Sequence, residues 1–326
     1  MSMGEGHFMT AETDRWFEGR VAVVTGGGNG IGRAHCLALA RHGARVVVND
    51  LGGNPDGTGA SSGAADAVVA TIRESGGEAV ANYDSVADPA TGGRVIQCAL
   101  DHYGRVDVLI PSAGIIVNNR FEDMTPAELD QIIDVHLKGS FFVAQPAFRQ
   151  MRKQGYGRFV FTGSGTGMFG HAWMANYAMA KAGIVGLSQT VAIEGAPHGI
   201  HSNVLLPNAS SRAGVAMGQG FREIPSFAAS MDRIDFKANR RGDPAYSSAL
   251  ALYLASERCT RSHGVFSYAY GRYGEMPIAV SKGWRVEEEG VPELADIEAH
   301  WGAISSRAAF DEPADVYDEY ALAIGA

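Results

Sequence analysis

Short runs of apolar residues alternate with longer segments of helical periodicity over most of the chain. Apolar runs bounded by glycine, asparagine or aspartate are typical of buried parallel strands, and the segments between them are typical of covering helices. The predicted strands cover residues 20–25, 45–49, 78–82, 106–110, 157–162, 201–206 and 265–269. The predicted helices cover residues 30–42, 60–76, 89–103, 126–154, 174–198 and 244–256. The pattern predicts an α/β fold, a doubly wound parallel sheet of seven strands with helices on both faces.

Weaker periodicity marks the boundaries of the predicted domain, residues 19–269, which follows an N-terminal extension at residues 1–18. Residues 51–63, rich in glycine, asparagine and serine, are predicted to form an exposed loop after the second strand. Residues 209–239 are predicted to form a flexible flap over the substrate site. Residues 270–326 are expected to form a helical C-terminal extension that packs on the domain or on a partner subunit.

Composition narrows the classes of function. The hydrophobic content of 46% fits a packed core, and the net charge of -9 argues against nucleic-acid binding, which needs a basic surface. The cysteines Cys36, Cys98 and Cys259 lie far apart without C-x-x-C spacing, so we expect reduced thiols and no metal site. No apolar run reaches the roughly 18 residues of a membrane span, and the first residues lack the apolar core of a signal peptide. We therefore expect a cytoplasmic protein.

A glycine-rich turn follows the first predicted strand. The run TGGGNGIG at residues 25–32 places Gly26, Gly30 and Gly32 in a G-x-x-x-G-x-G spacing directly before a helix. Glycines let a pyrophosphate approach the backbone, and the N-terminus of the helix stabilises its charge. The stricter G-x-G-x-x-G register does not fit, because its third glycine falls on Ile31 or Arg33. The turn predicts a dinucleotide site.

An acidic residue, Asp50, ends the second predicted strand. A carboxylate there accepts hydrogen bonds from both adenosine ribose hydroxyls, whereas a 2′-phosphate would meet like charge. Asn29 in the turn and Leu51 beside the acid are further candidate cofactor-binding residues, and neither supplies the cation that a 2′-phosphate needs. The sequence therefore favours NAD over NADP.

A tyrosine and a lysine stand four residues apart, at Tyr177 and Lys181, so they share one face of a predicted helix. Lowering a tyrosine pKa from about 10 to about 7 requires roughly 4 kcal/mol, which Lys181 and the charge of an oxidised nicotinamide would supply. Tyr177 would then act as general acid toward a ketone or general base toward an alcohol. Ser164, after the fifth strand, would hold the substrate oxygen. A Y-x-x-x-K spacing by itself is weak evidence for a catalytic pair, because it arises by chance in many helices. The presence of the glycine turn, Asp50 and Ser164 in the same chain order strengthens the catalytic interpretation.

These motifs resemble the short-chain dehydrogenase/reductase family. The runs TGGGNGIG, VVVND, YDS, SAG, GS, YAMAK and PN follow in the family's order over about residues 20–269. Longer runs, among them VVVNDLGG, VHLKGSF, MANYAMAKAGIVGL and LLPNA, resemble one subgroup more closely, the (R)-3-hydroxyacyl-CoA dehydrogenase units of peroxisomal multifunctional enzymes type 2. The resemblance implies a Rossmann fold, an NAD-dependent oxidoreductase and a role in lipid metabolism.

The resemblance also implies roles for individual residues. The implied cofactor contacts are Gly26, Gly30, Ile31 and Gly32 at the pyrophosphate, Asp84 and Ser85 at the adenine, Ser112, Ala113 and Gly114 along the cofactor, and Tyr177, Lys181 and Pro207 at the nicotinamide end. Two positions depart from the family pattern. Ser112 replaces an asparagine, which we expect to loosen the link between neighbouring strands. His136 replaces the catalytic asparagine, and either it keeps the proton relay or it is a hydrogen-bonded core histidine.

The implied reaction is the oxidation of a secondary alcohol with NAD, on a (3R)-hydroxyacyl-CoA. A hydroxysteroid or terpenoid-alcohol dehydrogenase, a 3-oxoacyl thioester reductase, an epimerase or dehydratase, and a silent NAD-binding scaffold stay open as alternatives. A CoA substrate predicts a basic entrance formed by some of Arg120, Arg149, Arg152, Lys153 and Arg212. Family members pair through two long helices, here residues 126–154 and 174–198, which implies a homodimer or homotetramer.

Overall fold

Buried, valine-rich strands build the central sheet. The computed structural model describes residues 15–209, 220–235, 240–286 and 290–324. The strands of the sheet are β1 Val21–Thr25, β2 Arg45–Asn49, β3 Glu78–Asn82, β4 Val108–Pro111, β5 Gly157–Thr162, β6 Ile200–Leu206, β7 Val265–Ala269 and β8 Arg272–Glu275. The helices around it are α1 Gly30–Arg41, α2 Gly63–Glu74, α3 Pro89–Tyr103, α4 Pro126–Ile133, α5 Gly139–Gln154, α6 Gly165–Phe169, α7 Ala175–Gly195, α8 Pro225–Asp232 and α9 Pro244–Ala255.

The strand order is β3-β2-β1-β4-β5-β6-β7-β8, and the first seven strands of this sheet are parallel. The order reverses between β1 and β4, and the carboxyl ends of the strands beside such a switch point form the ligand crevice of open α/β sheets. Helices α1, α2 and α9 pack together, and α3, α5 and α7 form the other group. The predicted fold class is confirmed.

The predicted number of strands was wrong by one. Strand β8 pairs antiparallel with β7 across a turn in which Tyr270 and Gly271 have φ values of 46° and 95°. Both residues therefore have the left-handed conformation of a tight hairpin turn. Because the RYGE sequence of β8 has no apolar run and the strand lies at the sheet edge, periodicity does not reveal it. The sheet extends to Glu275, beyond the predicted end at residue 269.

The long helix predicted at residues 126–154 is interrupted. A π-helical turn at Asp134–Lys138 separates α4 from α5 and buries His136, which is 3% exposed. Such a turn adds one residue to the helical repeat, so the buried face of the helix is rotated after it. The pattern of apolar side chains changes little across a single extra residue, and the sequence therefore does not reveal the interruption. Its position at His136 bears directly on the candidate site.

Local capping determines where several helices begin. The Asp88 carboxylate accepts hydrogen bonds from the amides of Ala90 and Thr91 at the start of α3. Thr125 and Glu128 form a capping box at the start of α4, and Asp243 caps α9. Each of the three helices has proline in its first turn, where no intrahelical amide bond is lost.

The chain divides into two compact units, Met1–Glu275 and Met276–Ala326. The second unit contains β9 Val280–Ser281, β10 Phe310–Asp311, α10 Leu294–Ile304 and α11 Val316–Ile324. Within it, the rings of Trp284 and His300 stack 3.9 Å apart. Over the described ranges, none of the helices has the length and hydropathy needed to cross a membrane.

The predicted flap lies only partly within the described residues, since 210–219 and 236–239 are outside them. Its described part contains α8 and the buried side chain of Phe221. The rings of Phe221 and Phe227 both pack edge-on against His171, with centroids 5.1 and 4.7 Å away. This part of the segment is therefore held by an aromatic cluster.

A buried histidine between α1 and α9 predicts loss of stability in acid. His35 is 0% exposed, its Nδ1 lies 2.8 Å from Ser248 Oγ, and burial lowers its pKa from 6.5 to about 4. The unfolded chain therefore binds more protons between these two values, so the free energy of unfolding decreases as pH falls through that window. At pH 5 the loss is about 2 kcal/mol, measurable by urea unfolding at pH 7 and pH 5. His35→Gln should flatten this dependence, and His102→Gln, at an exposed position on α3, should leave it unchanged.

Candidate active site

Tyr177 and Lys181 lie on one face of the first two turns of α7, as their spacing predicts. The amine of Lys181 is buried, lies 5.6 Å from the centre of the Tyr177 ring and donates a 2.7 Å hydrogen bond to the carbonyl of Thr162, the last residue of β5. This bond attaches the pair to the carboxyl end of the sheet. Burial lowers the pKa of Lys181 to about 7, so both the ammonium and the neutral amine are accessible near neutral pH.

The phenol of Tyr177 has a raised pKa. Burial raises it, and a hydrogen bond with Ser164 opposes this effect without reversing it. The sequence predicts that Lys181 and a nicotinamide cation lower this pKa. With the protein side chains alone, however, burial has the larger effect and the pKa of Tyr177 stays raised. The protonated phenol is therefore the resting form, which suits a general acid.

Ser164 lies where β5 turns into α6. It is the N-cap of α6, and its Oγ accepts a hydrogen bond of 3.1 Å from the amide of Thr166. This bond occupies one acceptor site of the hydroxyl and leaves its proton for another partner. Ser164, Tyr177 and Lys181 thus converge at one end of β5, although they come from two different helices.

His136 lies directly behind the catalytic tyrosine candidate. Its ring meets that of Tyr177 edge-on, with centroids 5.0 Å apart, and its Nε2 lies 2.8 Å from the carbonyl oxygen and 3.1 Å from the amide of Ile115. Burial and the charge of Lys181 lower its pKa to about 3, so the ring is neutral. Its backbone carbonyl accepts a 2.6 Å hydrogen bond from Ser140. Its Nδ1 is buried without a hydrogen-bond partner among the described residues.

The glycine turn follows β1 and has the shape that a pyrophosphate needs. Gly26 has a φ of +66°, and a Cβ there would lie 2.8 Å from the amide nitrogen of Ala113. A Cβ on Gly32 would lie 2.2 Å from the carbonyl oxygen of Gly26, whereas Gly30 faces open space. The Asn29 side chain makes no capping bond to α1, so the first amides of the helix stay available. The residues of the turn therefore fit a dinucleotide.

Asp50 follows β2 and faces the glycine turn. Its Oδ2 accepts a 2.8 Å hydrogen bond from the amide of Gly28, and its Oδ1 accepts one of 2.7 Å from Gly52. These bonds hold the carboxylate at the edge of the crevice beside Leu51, which is partly exposed. A carboxylate held here can bind ribose hydroxyls.

The remaining predicted cofactor residues lie along the same edge. The carboxylate of Asp84, after β3, pairs with Arg94 and accepts a hydrogen bond from Asn82, and Ser85 follows it. Ala113 and Gly114 follow β4, and a Cβ on Gly114 would lie 2.5 Å from the ring of His136. Pro207 follows β6. These residues follow three strands, and the glycine turn and Asp50 follow β1 and β2, so the predicted cofactor residues come from five strand ends.

Ser112 maintains a link between strands rather than loosening it. Its hydroxyl lies 2.8 Å from that of Thr162, and its amide donates to the carbonyl and hydroxyl oxygens of Thr25. Thr162 thereby links the end of β4 to Lys181, whose amine donates to its carbonyl. In this chain the hydroxyl groups of Ser112 and Thr162 make a link at the position where the family pattern has an asparagine side chain.

Sequence reasoning missed Asn176 and two threonines. Asn176 is fully buried, donates to the carbonyls of Val117 and Glu128, and accepts from the amide of Tyr177. Thr25 and Thr162 join neighbouring strand ends. Two signals in the sequence point to these residues. The threonines are polar residues at the ends of apolar strands, and Asn176 is an amide directly before Tyr177.

The predicted basic entrance is wrong for three of its residues. Arg149, Arg152 and Lys153 lie near the end of α5, which leads into the beginning of β5 at the amino edge of the sheet. Gln154, the last residue of α5, accordingly bonds to the backbone of Val106, just before β4. Helices of a parallel sheet run back to its amino edge, so these side chains lie opposite the crevice. Arg212 is outside the described residues.

Arg120 borders a pocket formed by described residues. The pocket has a volume of about 540 Å³ and adjoins the first turn of α7. Phe121, Trp173 and Ile224 line it, and Arg120 pairs with Glu223 at 2.6 Å. Its walls are therefore mostly apolar, with one ion pair. In the described part of the chain, no group of three His, Cys, Asp or Glu side chains could hold a metal ion.

A doubly wound sheet with a glycine turn, a strand-end acid and a Tyr/Lys/Ser group at one edge defines a dinucleotide-dependent oxidoreductase that acts on hydroxyl and keto groups. The chain belongs to the short-chain dehydrogenase/reductase family, whose defining pattern, short chain dehydrogenase, matches residues 20–217. The family resemblance is therefore confirmed.

Individual relatives agree with this assignment. The chain is 43% identical over 260 residues to peroxisomal multifunctional enzyme type 2 of Mus musculus, covering 80% of this chain and 33% of that protein. It therefore spans about a third of that longer relative. It is 40% identical over 188 residues to a 3-oxoacyl-[acyl-carrier-protein] reductase of Synechocystis, covering 58% and 73%. The crystal structure of a short chain dehydrogenase from Mycobacterium avium superposes with a TM-score of 0.74 at 34% identity, covering 90% of this chain and 98% of that one.

Proposed function

We propose that this chain is an NAD-dependent dehydrogenase that interconverts a secondary alcohol and a ketone, with a (3R)-hydroxyacyl-CoA as its substrate. The observation that carries the reaction is the convergence of Tyr177, Ser164 and the buried amine of Lys181 at the end of β5. A proton donor, a hydrogen-bonding hydroxyl and a cation beside one crevice suit the transfer of a proton to or from a substrate oxygen.

Each of the three side chains has a separate task in this mechanism. Tyr177 donates its phenolic proton to the ketone oxygen in reduction and accepts the alcohol proton in oxidation. Ser164 holds that oxygen through its hydroxyl, and Lys181, anchored on the carbonyl of Thr162, stabilises the phenolate when it forms. Bound nicotinamide supplies or accepts the hydride.

The preference for NAD rests on Asp50. Its carboxylate is held by the amides of Gly28 and Gly52 at the end of β2, beside the glycine turn. A 2′-phosphate brought to this position would lose its hydration and face a like charge, whereas the hydroxyls of NAD would donate hydrogen bonds to the carboxylate.

Asp50→Ala should reduce the preference for NAD over NADP. The substitution removes the acceptor for the ribose hydroxyls and the repulsion of a 2′-phosphate, so we expect kcat/KM with NAD to fall about tenfold and kcat/KM with NADP to rise. The measurement compares both cofactors at one substrate concentration. Asp101→Ala, at an exposed position on α3, is the matched control and should change neither value. An unchanged cofactor ratio in Asp50→Ala would refute the role of this residue.

The thioester substrate is supported by the subgroup resemblance and by the apolar pocket. The relative from Synechocystis is named as a 3-oxoacyl-[acyl-carrier-protein] reductase, so interconversion of a ketone and an alcohol at carbon 3 of an acyl group occurs among similar proteins. The walls formed by Phe121, Trp173 and Ile224 suit an acyl chain, because burial of its methylene groups against these apolar side chains contributes favourably to the free energy of binding.

A panel of alcohols tests the substrate directly. We expect NADH formation, followed at the nicotinamide absorbance, with (3R)-hydroxyacyl-CoA thioesters and much lower kcat/KM with their 3S isomers, 17-hydroxysteroids and small cyclic alcohols. Faster turnover of a steroid or a cyclic alcohol would contradict the thioester proposal while leaving the reaction class intact.

The assembly into a homodimer or homotetramer and the cytoplasmic location stay predictions.

A further inference from the structure

The loop between β2 and α2, residues 51–62, is an ordered structure. The amide of Ser61 donates to the carbonyl of Leu51 at 2.9 Å and closes the base of the loop, and the amide of Asn54 donates to the carbonyl of Thr58 at 2.8 Å. Gly52 has a φ of +73°, and a Cβ there would overlap the carbonyl of Ser61. The loop is exposed over most of its length, as its composition predicts, and these hydrogen bonds also give it a defined shape.

The tip of this loop, residues 55–57, docks on the far side of the crevice. The amide of Ile116 donates a 2.8 Å hydrogen bond to the carbonyl of Pro55, and Gln131 Nε2 on α4 donates one of 2.7 Å to the carbonyl of Asp56. Gly57 packs so closely that a Cβ would lie 2.9 Å from Gln131 Nε2 and 3.0 Å from Ile115 Cδ1. The tip is thus attached to the segment after β4 and to the last turn of α4.

The sheet order determines what lies under the tip. Strand β1 lies between β2 and β4, and the glycine turn follows β1. A loop that leaves the end of β2 and docks on the segment after β4 must cross the end of β1. It therefore spans the crevice between Asp50 and Ile115, over the turn that fits the pyrophosphate.

The two attachment points belong to the site itself. At the base of the loop, Gly52 donates to the carboxylate of Asp50. At the tip, Gly57 packs against Ile115. The carbonyl oxygen of Ile115 lies 2.8 Å from Nε2 of His136, and the ring of His136 packs edge-on against Tyr177. The loop thus joins the proposed ribose-binding acid to the segment that supports the tyrosine.

We infer that the tip, residues 55–57, is a strap across the dinucleotide crevice and that Gln131 is the positioning residue that keeps it docked. The inference rests on the proposed function only in that a dinucleotide occupies this crevice. A docked strap slows release of the bound cofactor, because the cofactor leaves through the opening that the strap covers.

Two glycines of the loop provide a matched pair of variants. Gly57 and Gly59 have φ values of +86° and +75°, so alanine is similarly strained at both. They differ in their surroundings, because a Cβ at position 59 meets only Asn54 Nδ2, at 3.7 Å, whereas one at position 57 presses on Gln131 and Ile115. Only Gly57→Ala should lift the tip.

The experiment measures NAD affinity by calorimetry, NADH release by stopped-flow fluorescence, and amide exchange of Ile116 in the cofactor-free protein. For Gly57→Ala and Gln131→Ala we expect a rise of about threefold to tenfold in the Kd for NAD, faster NADH release and faster exchange at Ile116. Gly59→Ala should change none of these. Gln97→Ala, a glutamine at an exposed position on α3, should likewise match the wild type.

The outcomes separate the strap from the proposed function. If Ile116 exchanges faster in the tip variants while the Kd and release rate stay at wild-type values, the tip does not retain the cofactor and the inference is refuted. If the wild-type chain binds neither NAD nor NADP, the cofactor assignment itself fails. Should Gly57→Ala not fold, Gln131→Ala carries the test, because it removes one partly exposed side-chain amide from the surface of α4.

Discussion

Tyr177→Phe should lower kcat about a thousandfold and leave the affinity for NAD unchanged. The phenylalanine ring keeps the edge-on contact with His136, so the substitution removes only the phenolic hydroxyl that exchanges a proton with the substrate. The measurement is steady-state turnover with saturating NAD, together with the Kd of NADH from its fluorescence. The loss should appear in both kcat and kcat/KM, because the proton transfer occurs in the transition state.

A second tyrosine makes the control specific. Tyr253, on α9, is partly exposed to solvent, and Tyr253→Phe should retain wild-type turnover. The proposed mechanism would be refuted if Tyr177→Phe kept more than about a tenth of the wild-type kcat, since a general acid contributes roughly a hundredfold or more.

Lys181→Met should reduce alcohol oxidation about a hundredfold at neutral pH and move its pH dependence upward. Oxidation needs the phenolate of Tyr177, whose concentration rises tenfold per pH unit below the pKa. Burial raises that pKa and a hydrogen bond with Ser164 opposes the rise. We expect the ammonium of Lys181, 5.6 Å from the ring centre, to stabilise the phenolate further. Methionine has a similar length without the charge, so the rise in kcat/KM should occur about two pH units higher.

The pH profile separates this role from a structural one. Loss of the bond from Lys181 to Thr162 by itself would lower the rate equally at every pH, whereas loss of the charge displaces the curve. Ketone reduction, which uses the protonated phenol, should depend little on pH over the same range. Lys153→Met, at an exposed position on α5 at the opposite edge of the sheet, is the matched control.

Patterns confined to one element were predicted well. The run VAVVT of β1 is fully buried between two strands, so every residue is apolar or small and the strand is visible in the sequence. The spacing of Tyr177 and Lys181 places them on one face of α7 regardless of the rest of the fold. The glycine turn was recognisable because close approaches at Gly26 and Gly32 exclude any Cβ.

Features that depend on two distant segments were not predicted. The loop after Asp50 has turn composition, and only the partners supplied by Ile116 and Gln131 dock it. Arg149 and Arg152 were two of five candidates for a basic entrance at the crevice, and the return direction of α5 carries them to the other edge. Strand β8 exists because β7 offers it an unpaired edge.

The sequence by itself determined the class of fold, the family and the chemical types present at the site, because the periodicity of buried elements and the spacing of a glycine turn are local properties. Tertiary structure alone decided the attachment of Lys181 to Thr162, the neutral state of His136 and the path of the loop over β1. These depend on burial and on hydrogen bonds between residues far apart in the chain, whose contacts exist only when the sheet has formed.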